Sequence, residues 1–158
     1  MTWTAPRTWT DGETVTAVEM NAHVRDNLKA IGDAWAAYTP ALTGVTLGNG
    51  TLTAASLQAG KLTACRGSLT LGSTSSITTT VRIGLPATAN PTVSYYAFAG
   101  LVTLVDASPT ARKFWIPVSA SATAFVISDP DYVLVNTTTP WTWATGDQIM
   151  WEFFYEAA

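Results

Sequence analysis

Residues 148–156 read QIMWEFFYE, and this stretch decides the fold class. In an extended strand one face would hold Ile149, Trp151, Phe153 and Tyr155. The other face would hold Met150, Glu152, Phe154 and Glu156, where a phenylalanine among glutamates indicates that this face is also partly covered. Alternation with a period of two is typical of a β-strand that has one face in a core. The chain is therefore predicted to be built mainly from β-strands.

Similar signals extend back from this stretch to residue 41. Runs rich in Thr, Val and Ile are separated by turn clusters such as Gly48-Asn49-Gly50 and Asp129-Pro130. Short strands at this spacing predict an antiparallel β-sandwich over residues 41–158. Pro86 and Pro117 should place the ends of their strands at edges or corners. The predicted strands are 41–47, 51–58, 61–71, 77–85, 95–105, 113–119, 122–128, 132–136 and 148–156.

Residues 1–15 predict an extended arm. They are rich in Thr, and Pro6 disfavours helix at the residue before it. Trp3 and Trp9 could each bury ~150–250 Å² against another surface, so we interpret the arm as a docking segment that binds a neighbouring protein. The alternative is that the arm folds back on its own domain and both tryptophans fill that core.

Residues 16–32 predict one amphipathic helix, followed by a connector at 33–40. Thr16 and Glu19 fit a capping box, and Gly32 is a natural C-terminal stop. An apolar stripe runs along the helix through Met20, Val24, Leu28 and Ile31. Read as heptads, the inward positions are Met20, Val24, Asn27 and Ile31, and an inward Asn fixes register in coiled coils. So short a helix needs a partner, and we favour other copies of the chain over the β domain.

Composition excludes several classes of function. The chain has 158 residues, a length typical of one domain. Its formal net charge is −3 and it contains no basic run, so nucleic acid is not expected as a partner. No stretch approaches 18 apolar residues, so membrane insertion is not expected. No signal-peptide pattern is found at the start, which predicts synthesis in the cytoplasm.

The residues that usually carry catalysis are scarce. The single histidine, His23, lies in the middle of the predicted helix, and the single cysteine, Cys65, lies in a predicted strand, where we expect a buried, inert thiol. Glu152 and Glu156 would lie ~13 Å apart on one strand, too far for a glycoside-hydrolase pair. We therefore predict a non-enzymatic protein with no catalytic residues, no metal site and no cofactor.

Five aromatic residues are candidates for stacking on sugar rings. Each of them is also explained by core or intersubunit packing, which we favour over a ligand-facing role. They are Tyr95, Tyr96, Trp115, Trp141 and Trp143.

The N-terminal sequence resembles a segment shared by virion proteins of tailed phages that infect actinobacteria. That pattern is approximately P-R-T-W, then G-x-x-V-T-A, then N-x-H-x-R-D-N-L, and the whole of it is present between Pro6 and Leu28. The G-N-G-T turn at 48–51 and the T-W-A-T-G-D stretch at 142–147 are similar to the β domains of phage tail and fibre proteins. The matching residues are Pro6, Arg7, Thr8, Trp9, Gly12, Val15, Thr16, Ala17, Asn21, His23, Arg25, Asp26, Asn27 and Leu28.

The resemblance implies a non-enzymatic virion protein, either a minor tail, tail-fibre or receptor-binding protein or a capsid decoration or head-fibre protein. It implies particle docking through an arm that contains Trp3, Pro6, Arg7 and Trp9. It also implies a homotrimeric stem and a jelly-roll head, with other virion proteins of the tail or capsid as partners. A host cell-surface glycan is an additional candidate partner. The stem residues would be Met20, Val24, Asn27, Leu28 and Ile31.

One departure from the family pattern weakens the receptor-binding interpretation. Basic and aromatic positions that are usual after the G-N-G-T turn are replaced here by Ala54, Ala55 and Ser56. A stand-alone carbohydrate-binding module is a further alternative from a different class of protein.

Overall fold

The structure is a computed structural model that describes residues 4–5, 7–32, 35–90, 98–108 and 110–158, and for Ala30 and Ile31 the backbone alone. Helical residues within these ranges lie at 17–31, where α1 (Ala17–Met20), a π-helical turn (Asn21–Arg25) and α2 (Asp26–Ile31) follow one another without a break. We refer to residues 17–31 as the helix.

Nine strands follow the helix within the described ranges. They are β1 (Ala36–Ala37), β2 (Leu42–Thr46), β3 (Thr51–Ala59), β4 (Leu62–Thr70), β5 (Ser76–Gly84), β6 (Ala99–Asp106), β7 (Ala111–Ser121), β8 (Ala124–Ser128) and β9 (Gln148–Glu156). They join in the order β1-β3-β4-β9-β6-β7-β8-β5-β2, and each neighbouring pair is antiparallel.

β7 is the strand at which the sheet bends. Residues 111–115 pair with β6, whereas residues 116–121 pair with β8. Pro117 lies just after this change of partner, which agrees with its predicted corner position. The sheet is curled into a half-barrel whose two halves face each other as in a β-sandwich. The predicted mainly-β fold with one short N-terminal helix is confirmed.

The inner face of β9 is the centre of the core. Its alternate residues Trp151 and Phe153 are 2% and 0% exposed. Phe125 of β8 reaches them from the opposite half, with its ring centroid 4.7 Å from that of Phe153. Gly67 of β4 makes room for the indole, because a Cβ there would lie 2.1 Å from Cζ2 of Trp151. The burial pattern predicted from QIMWEFFYE is therefore confirmed for the inner face.

Two turns at the end of the half-barrel are joined through Asn49. The turn between β2 and β3 contains Asn49, and the turn between β4 and β5 contains Ser73 and Thr74. The backbone N–H of Asn49 donates to Oγ1 of Thr74 at 2.9 Å, and its carboxamide oxygen accepts from the backbone N–H of Thr74 at 2.9 Å. Asn49 Nδ2 donates to the Ser73 hydroxyl at 3.0 Å. Gly48, with φ +55°, lies so close to Thr74 that a Cβ would be 2.4 Å from its carbonyl oxygen.

Two differences from the predicted strands have local causes. The predicted strand at 132–136 is wrong, because Oδ1 of Asp129 accepts from the backbone N–H groups of Asp131 and Val133 and closes a turn there. Leu134 then forms one isolated bridge with Ser128. β1 was not predicted, since two residues are too few to show alternation.

A buried carboxylate fixes the loop that leads into β9. Asp147 is 0% exposed, and its two oxygens accept from the backbone N–H of Ala144 at 2.8 Å and of Ala107 at 2.9 Å. Its own carbonyl oxygen accepts from the backbone N–H of Leu71 at 2.9 Å. One side chain therefore connects the start of β9 to the turn after β6.

We predict that Asp147→Asn lowers the free energy of unfolding by about 2–3 kcal/mol, because an amide NH₂ at this buried position then faces one of the two backbone N–H donors. Urea unfolding followed by tryptophan fluorescence measures the change. The matched control is Asp131→Asn on an exposed turn, for which we expect a change below ~0.5 kcal/mol. Equal stability of the two variants would contradict the role given to Asp147.

Candidate functional site

The helix begins and ends where its capping residues predict. The hydroxyl of Thr16 accepts from the backbone N–H of Glu19 at 3.3 Å, and the Glu19 carboxylate accepts from the backbone N–H of Thr16 at 2.9 Å. This is the predicted capping box. At the other end Gly32 is the C-cap residue, and its N–H donates to the carbonyl of Lys29 at 3.1 Å.

The π-helical turn arranges the helix surface in rows. At this turn the N–H of Asp26 donates to the carbonyl of Asn21, five residues back rather than four. A wider turn keeps residues that are four apart nearly in line. One row is therefore Glu19, His23 and Asn27, and the adjacent row is Met20, Val24 and Leu28.

The arm lies along the first of these rows and runs antiparallel to the helix. Near the helix C-terminus, the backbone N–H of Thr4 donates to Oδ1 of Asn27 at 3.0 Å and the Thr4 carbonyl accepts from its Nδ2 at 2.8 Å. One turn earlier, Nδ1 of His23 donates to the Ala5 carbonyl at 3.2 Å. At the helix N-terminus, Arg7 forms an ion pair with Glu19. The arm and the helix thus form one hairpin-like unit, which we call the arm–helix unit (residues 4–31).

Arg7 is the central side chain of the arm. Its guanidinium forms ion pairs with Glu13 as well as Glu19, and it lies 4.7 Å from the centroid of the Trp9 ring. The Trp9 ring in turn meets His23 edge-on, with 6.3 Å between centroids. Because the Arg7 side chain is 32% exposed, each ion pair is worth at most ~1 kcal/mol. Together these contacts hold Arg7 and Trp9 in fixed positions on the helix.

The contribution of the Glu19 carboxylate to the stability of the arm–helix unit depends on pH. Hydrogen bonds from the backbone and hydroxyl of Thr16, together with the Arg7 charge, hold the pKa of Glu19 below its ordinary value. A carboxylate with a lowered pKa stabilises the folded state at neutral pH, and this contribution is lost as the pH falls through the lowered pKa. The arm–helix unit is therefore expected to loosen in acid.

The predicted docking residues lie partly in this unit. Arg7 and Trp9 are in it, and Trp9 remains 38% exposed. The arm does fold back on its own chain, as the alternative interpretation required, but Trp9 packs on the helix rather than in the β core. Trp3 and Pro6 lie outside the described residues.

The predicted oligomerisation residues fall into two groups. Met20, Val24 and Leu28 are exposed on the uncovered row of the helix, by 46%, 37% and 66%. Asn27 is only 5% exposed, and both ends of its amide are bonded to Thr4 of the same chain. The arm therefore covers the position that the heptad pattern placed in a seam between copies. The side chain of Ile31 is outside the described residues.

Three of the five candidate sugar-stacking aromatics lie within the described residues. Trp115 is 6% exposed and belongs to the core, so its ring is not presented to a ligand, which corrects its candidacy. Tyr95 and Tyr96 lie outside the described residues. Trp141 and Trp143 are partly buried against the core, with 5.5 Å between their ring centroids.

Trp143 also forms one wall of a cavity of about 400 Å³. Its indole N–H is occupied, since it donates to the Asn136 carbonyl at 2.9 Å. Much of the remaining lining is hydroxyl-bearing. These hydroxyl residues are Ser73, Ser75, Ser76, Thr137, Thr142 and Thr145.

Cys65 has the expected character of a buried thiol. It is 0% exposed and unpaired, and burial raises its pKa to about 12. The thiol therefore stays protonated at neutral pH, and a protonated, inaccessible thiol is a poor nucleophile.

The comparisons with known proteins identify no relative. No family model, no curated protein and no solved structure matches the chain. In the described part of the chain, no helix is both long and apolar enough to span a bilayer.

We predict that Asn27→Ala releases the arm, because the mutation removes both bonds to Thr4. Trypsin cleavage after Arg7 reports arm opening, and we expect it to become about tenfold faster, which corresponds to ~1.4 kcal/mol. Asn21→Ala is the control, since it removes the same residue type from the same helix without touching the arm. Equal cleavage rates for the two variants would show that Asn27 does not hold the arm.

Proposed function

We propose that this chain is a non-enzymatic structural subunit of a phage virion that attaches to the particle through its arm–helix unit and assembles in several copies. The observation that carries the proposal is the separation of this unit from the core. The sandwich has a complete core of its own, whereas the helix exposes Met20, Val24 and Leu28 to solvent. An exposed apolar row on an ordered helix is typical of an interaction surface.

The resemblance of the N-terminal segment to phage virion proteins supports the same proposal. Several residues of that pattern make the contacts that build the unit. Arg7 bridges two carboxylates, His23 and Asn27 bind the arm backbone, and Thr16 caps the helix. The pattern therefore has a physical explanation as the set of residues that fold the arm onto the helix.

The folded arm would make attachment efficient. A flexible arm loses conformational entropy when it binds, whereas an arm already held on a helix loses less. A trimer would also present three such units together, so that weak single contacts add up to strong attachment. Trp9, held in place and 38% exposed, is the residue best placed to contact the particle.

Two positions on the particle are compatible with this design. A minor tail, tail-fibre or receptor-binding protein would direct the β head towards the host. A capsid decoration or head-fibre protein would use the same attachment without needing a receptor site. The small side chains of Ala54, Ala55 and Ser56 on β3 favour the second position, and the naming of the proteins it resembles favours the first.

A carbohydrate-binding module is a second candidate function, favoured by the cavity beside Trp143. Its volume of about 400 Å³ is in the range of small-ligand sites. Hydroxyl groups donate and accept hydrogen bonds, and an indole can stack on the apolar face of a sugar ring. This combination fits a neutral saccharide better than a charged ligand.

We predict that the wild-type protein is an oligomer and that Leu28→Asp lowers its mass, because a carboxylate in the exposed row cannot be buried without a partner. Light scattering coupled to size-exclusion chromatography measures the mass. Val133→Asp is the control, since Val133, like Leu28, is an exposed aliphatic residue, but it lies in the loop after β8.

A separate experiment tests the virion assignment. Immunogold labelling of intact particles with an antibody against the β head would locate the subunit, and particles that carry no label would overturn the virion assignment.

The carbohydrate hypothesis predicts that titration with neutral sugars releases heat and that Thr142→Val weakens binding several-fold, because it removes one hydroxyl from the cavity. Isothermal calorimetry with a panel of hexoses, pentoses and their oligomers measures this. Thr78→Val on the exposed face of β5 is the control. Absence of heat with the whole panel, or equal affinities of the two variants, would rule the cavity out as a saccharide site.

A further inference from the structure

Asn49 is the only asparagine in the sequence that precedes a glycine. An asparagine before glycine is chemically reactive, because the backbone nitrogen of the next residue can attack the side-chain carboxamide. Glycine permits this approach best, since it has no side chain to obstruct its nitrogen. Asn90, by contrast, precedes a proline, whose nitrogen carries no hydrogen to lose. The sequence therefore places the chemistry of spontaneous deamidation at Asn49.

This reaction needs no reactant other than water. The Gly50 nitrogen loses its proton and forms a bond to Cγ of Asn49, the Cγ–Nδ2 bond breaks, and the side-chain nitrogen takes up a proton and leaves as ammonia. The succinimide ring that results then adds one water molecule at either of its carbonyls. Its opening yields aspartate or isoaspartate, so a neutral amide becomes a carboxylate in both products.

Burial does not protect this site from water. Asn49 lies in the turn between β2 and β3 and is exposed. Its carboxamide is instead bonded at both ends to the turn between β4 and β5. Oδ1 accepts from the backbone N–H of Thr74 at 2.9 Å and from the Thr74 hydroxyl at 3.0 Å, and Nδ2 donates to the Ser73 hydroxyl at 3.0 Å. The carboxamide cannot turn towards the following nitrogen without breaking these bonds.

The attacking nitrogen is held in place as well. The N–H of Gly50 donates to the Leu47 carbonyl at 2.8 Å, and this bond has to break before the nitrogen can lose its proton and attack. The peptide that joins Asn49 to Gly50 also has little room to rotate. A Cβ on Gly72 would lie 2.7 Å from the Gly50 nitrogen, and a Cβ on Gly50 would lie 2.6 Å from the Thr70 carbonyl oxygen. Both reacting groups are therefore fixed by neighbouring parts of the chain.

We propose that Asn49 is a deamidation site that its contacts with Ser73 and Thr74 keep closed. The reaction takes place in molecules in which these two turns have separated while the sandwich stays folded. A slow reaction of a transiently opened state proceeds in proportion to the fraction of molecules that are open. The strength of the contacts between the turns thus sets the rate of modification. This inference is independent of the virion assignment, because it depends only on the two turns.

The two products differ in their effect on the fold. Aspartate can keep the turns together, because the Ser73 hydroxyl can donate to a carboxylate oxygen. Isoaspartate carries the main chain through the former side chain and lengthens the turn by a methylene group. The turn has no space for this, since even a Cβ on Gly48 would lie 2.4 Å from the Thr74 carbonyl oxygen. Isoaspartate would therefore separate the turns, and it would alter the cavity beside Trp143, which Ser73 also lines.

Incubation of the full chain in mildly alkaline buffer tests the proposal, with peptide mapping by chromatography and mass spectrometry to quantify aspartate and isoaspartate at position 49. We expect conversion in the folded protein to be about tenfold or more slower than in the same protein unfolded in urea. Ser73→Ala and Thr74→Val each remove a hydroxyl that is bonded to Asn49, and each should speed conversion about fivefold. Ser76→Ala is the matched control, since Ser76 is an exposed serine at the start of β5 that takes no part in these bonds.

A second control separates opening of the turns from unfolding of the whole sandwich. Ile127→Val removes a methylene group from a fully buried residue of β8 and lowers the global stability without touching the turns. We expect it to leave the rate of conversion unchanged. A rate that rises in step with its loss of stability in urea would show that the reaction requires global unfolding, and the proposal would be wrong.

Three further results would also overturn the proposal. The first is equal conversion in the folded and the urea-unfolded protein. The second is a rate in Ser73→Ala and Thr74→Val that equals the wild-type rate. The third is an acceleration in Ser76→Ala as large as in those two variants. Urea unfolding curves confirm that each variant is folded under the conditions of the incubation.

Discussion

The structure depends on the burial of the inner face of β9 between its neighbours β4 and β6 and the opposite half of the sheet. Phe153 and Trp151 are held there by Phe125 from β8, so that this packing requires the sheet to bend. The bend is made within β7, which changes partner between residues 115 and 116. Asn49 and Asp147 then fix the turns at the ends of the half-barrel. Aromatic packing thus provides the driving force, and two polar side chains define the geometry.

The N-terminal arm–helix unit is held together by polar contacts rather than by a hydrophobic core. The arm–helix unit is held by hydrogen bonds and ion pairs, chiefly those of Asn27, His23 and Arg7, and it exposes its apolar row instead of burying it. Polar contacts between partly exposed groups are individually weak, so we expect the arm–helix unit to open more readily than the sandwich. Under the proposed function, this division would let the sandwich fold by itself and leave the arm–helix unit available for binding.

Much of this could be predicted from the sequence. Alternation in QIMWEFFYE defined the central strand, and turn clusters placed most other strands within a few residues. Thr16 and Glu19 located the start of the helix. Cys65 was correctly predicted to be buried. These features depend on short-range pattern: alternation, capping and turn chemistry act over a few residues, so they can be read without knowing what packs on them.

The remaining features are set by contacts between residues distant in the chain. The heptad pattern placed Asn27 in a seam, but the arm reaches it from 23 residues away and uses both ends of its amide. The sequence alone left open whether the Trp115 ring faces a ligand or the core. The pairing of β7 places it in the core. The exposed outer-face side chains Leu62, Phe154, Leu101 and Phe114 lie on one diagonal only because β4, β9, β6 and β7 are paired in one register. The sequence by itself determined most of the strands and the position of the helix, since these depend on local periodicity and capping. Tertiary structure alone decided which surfaces are covered, because coverage depends on which distant segments meet.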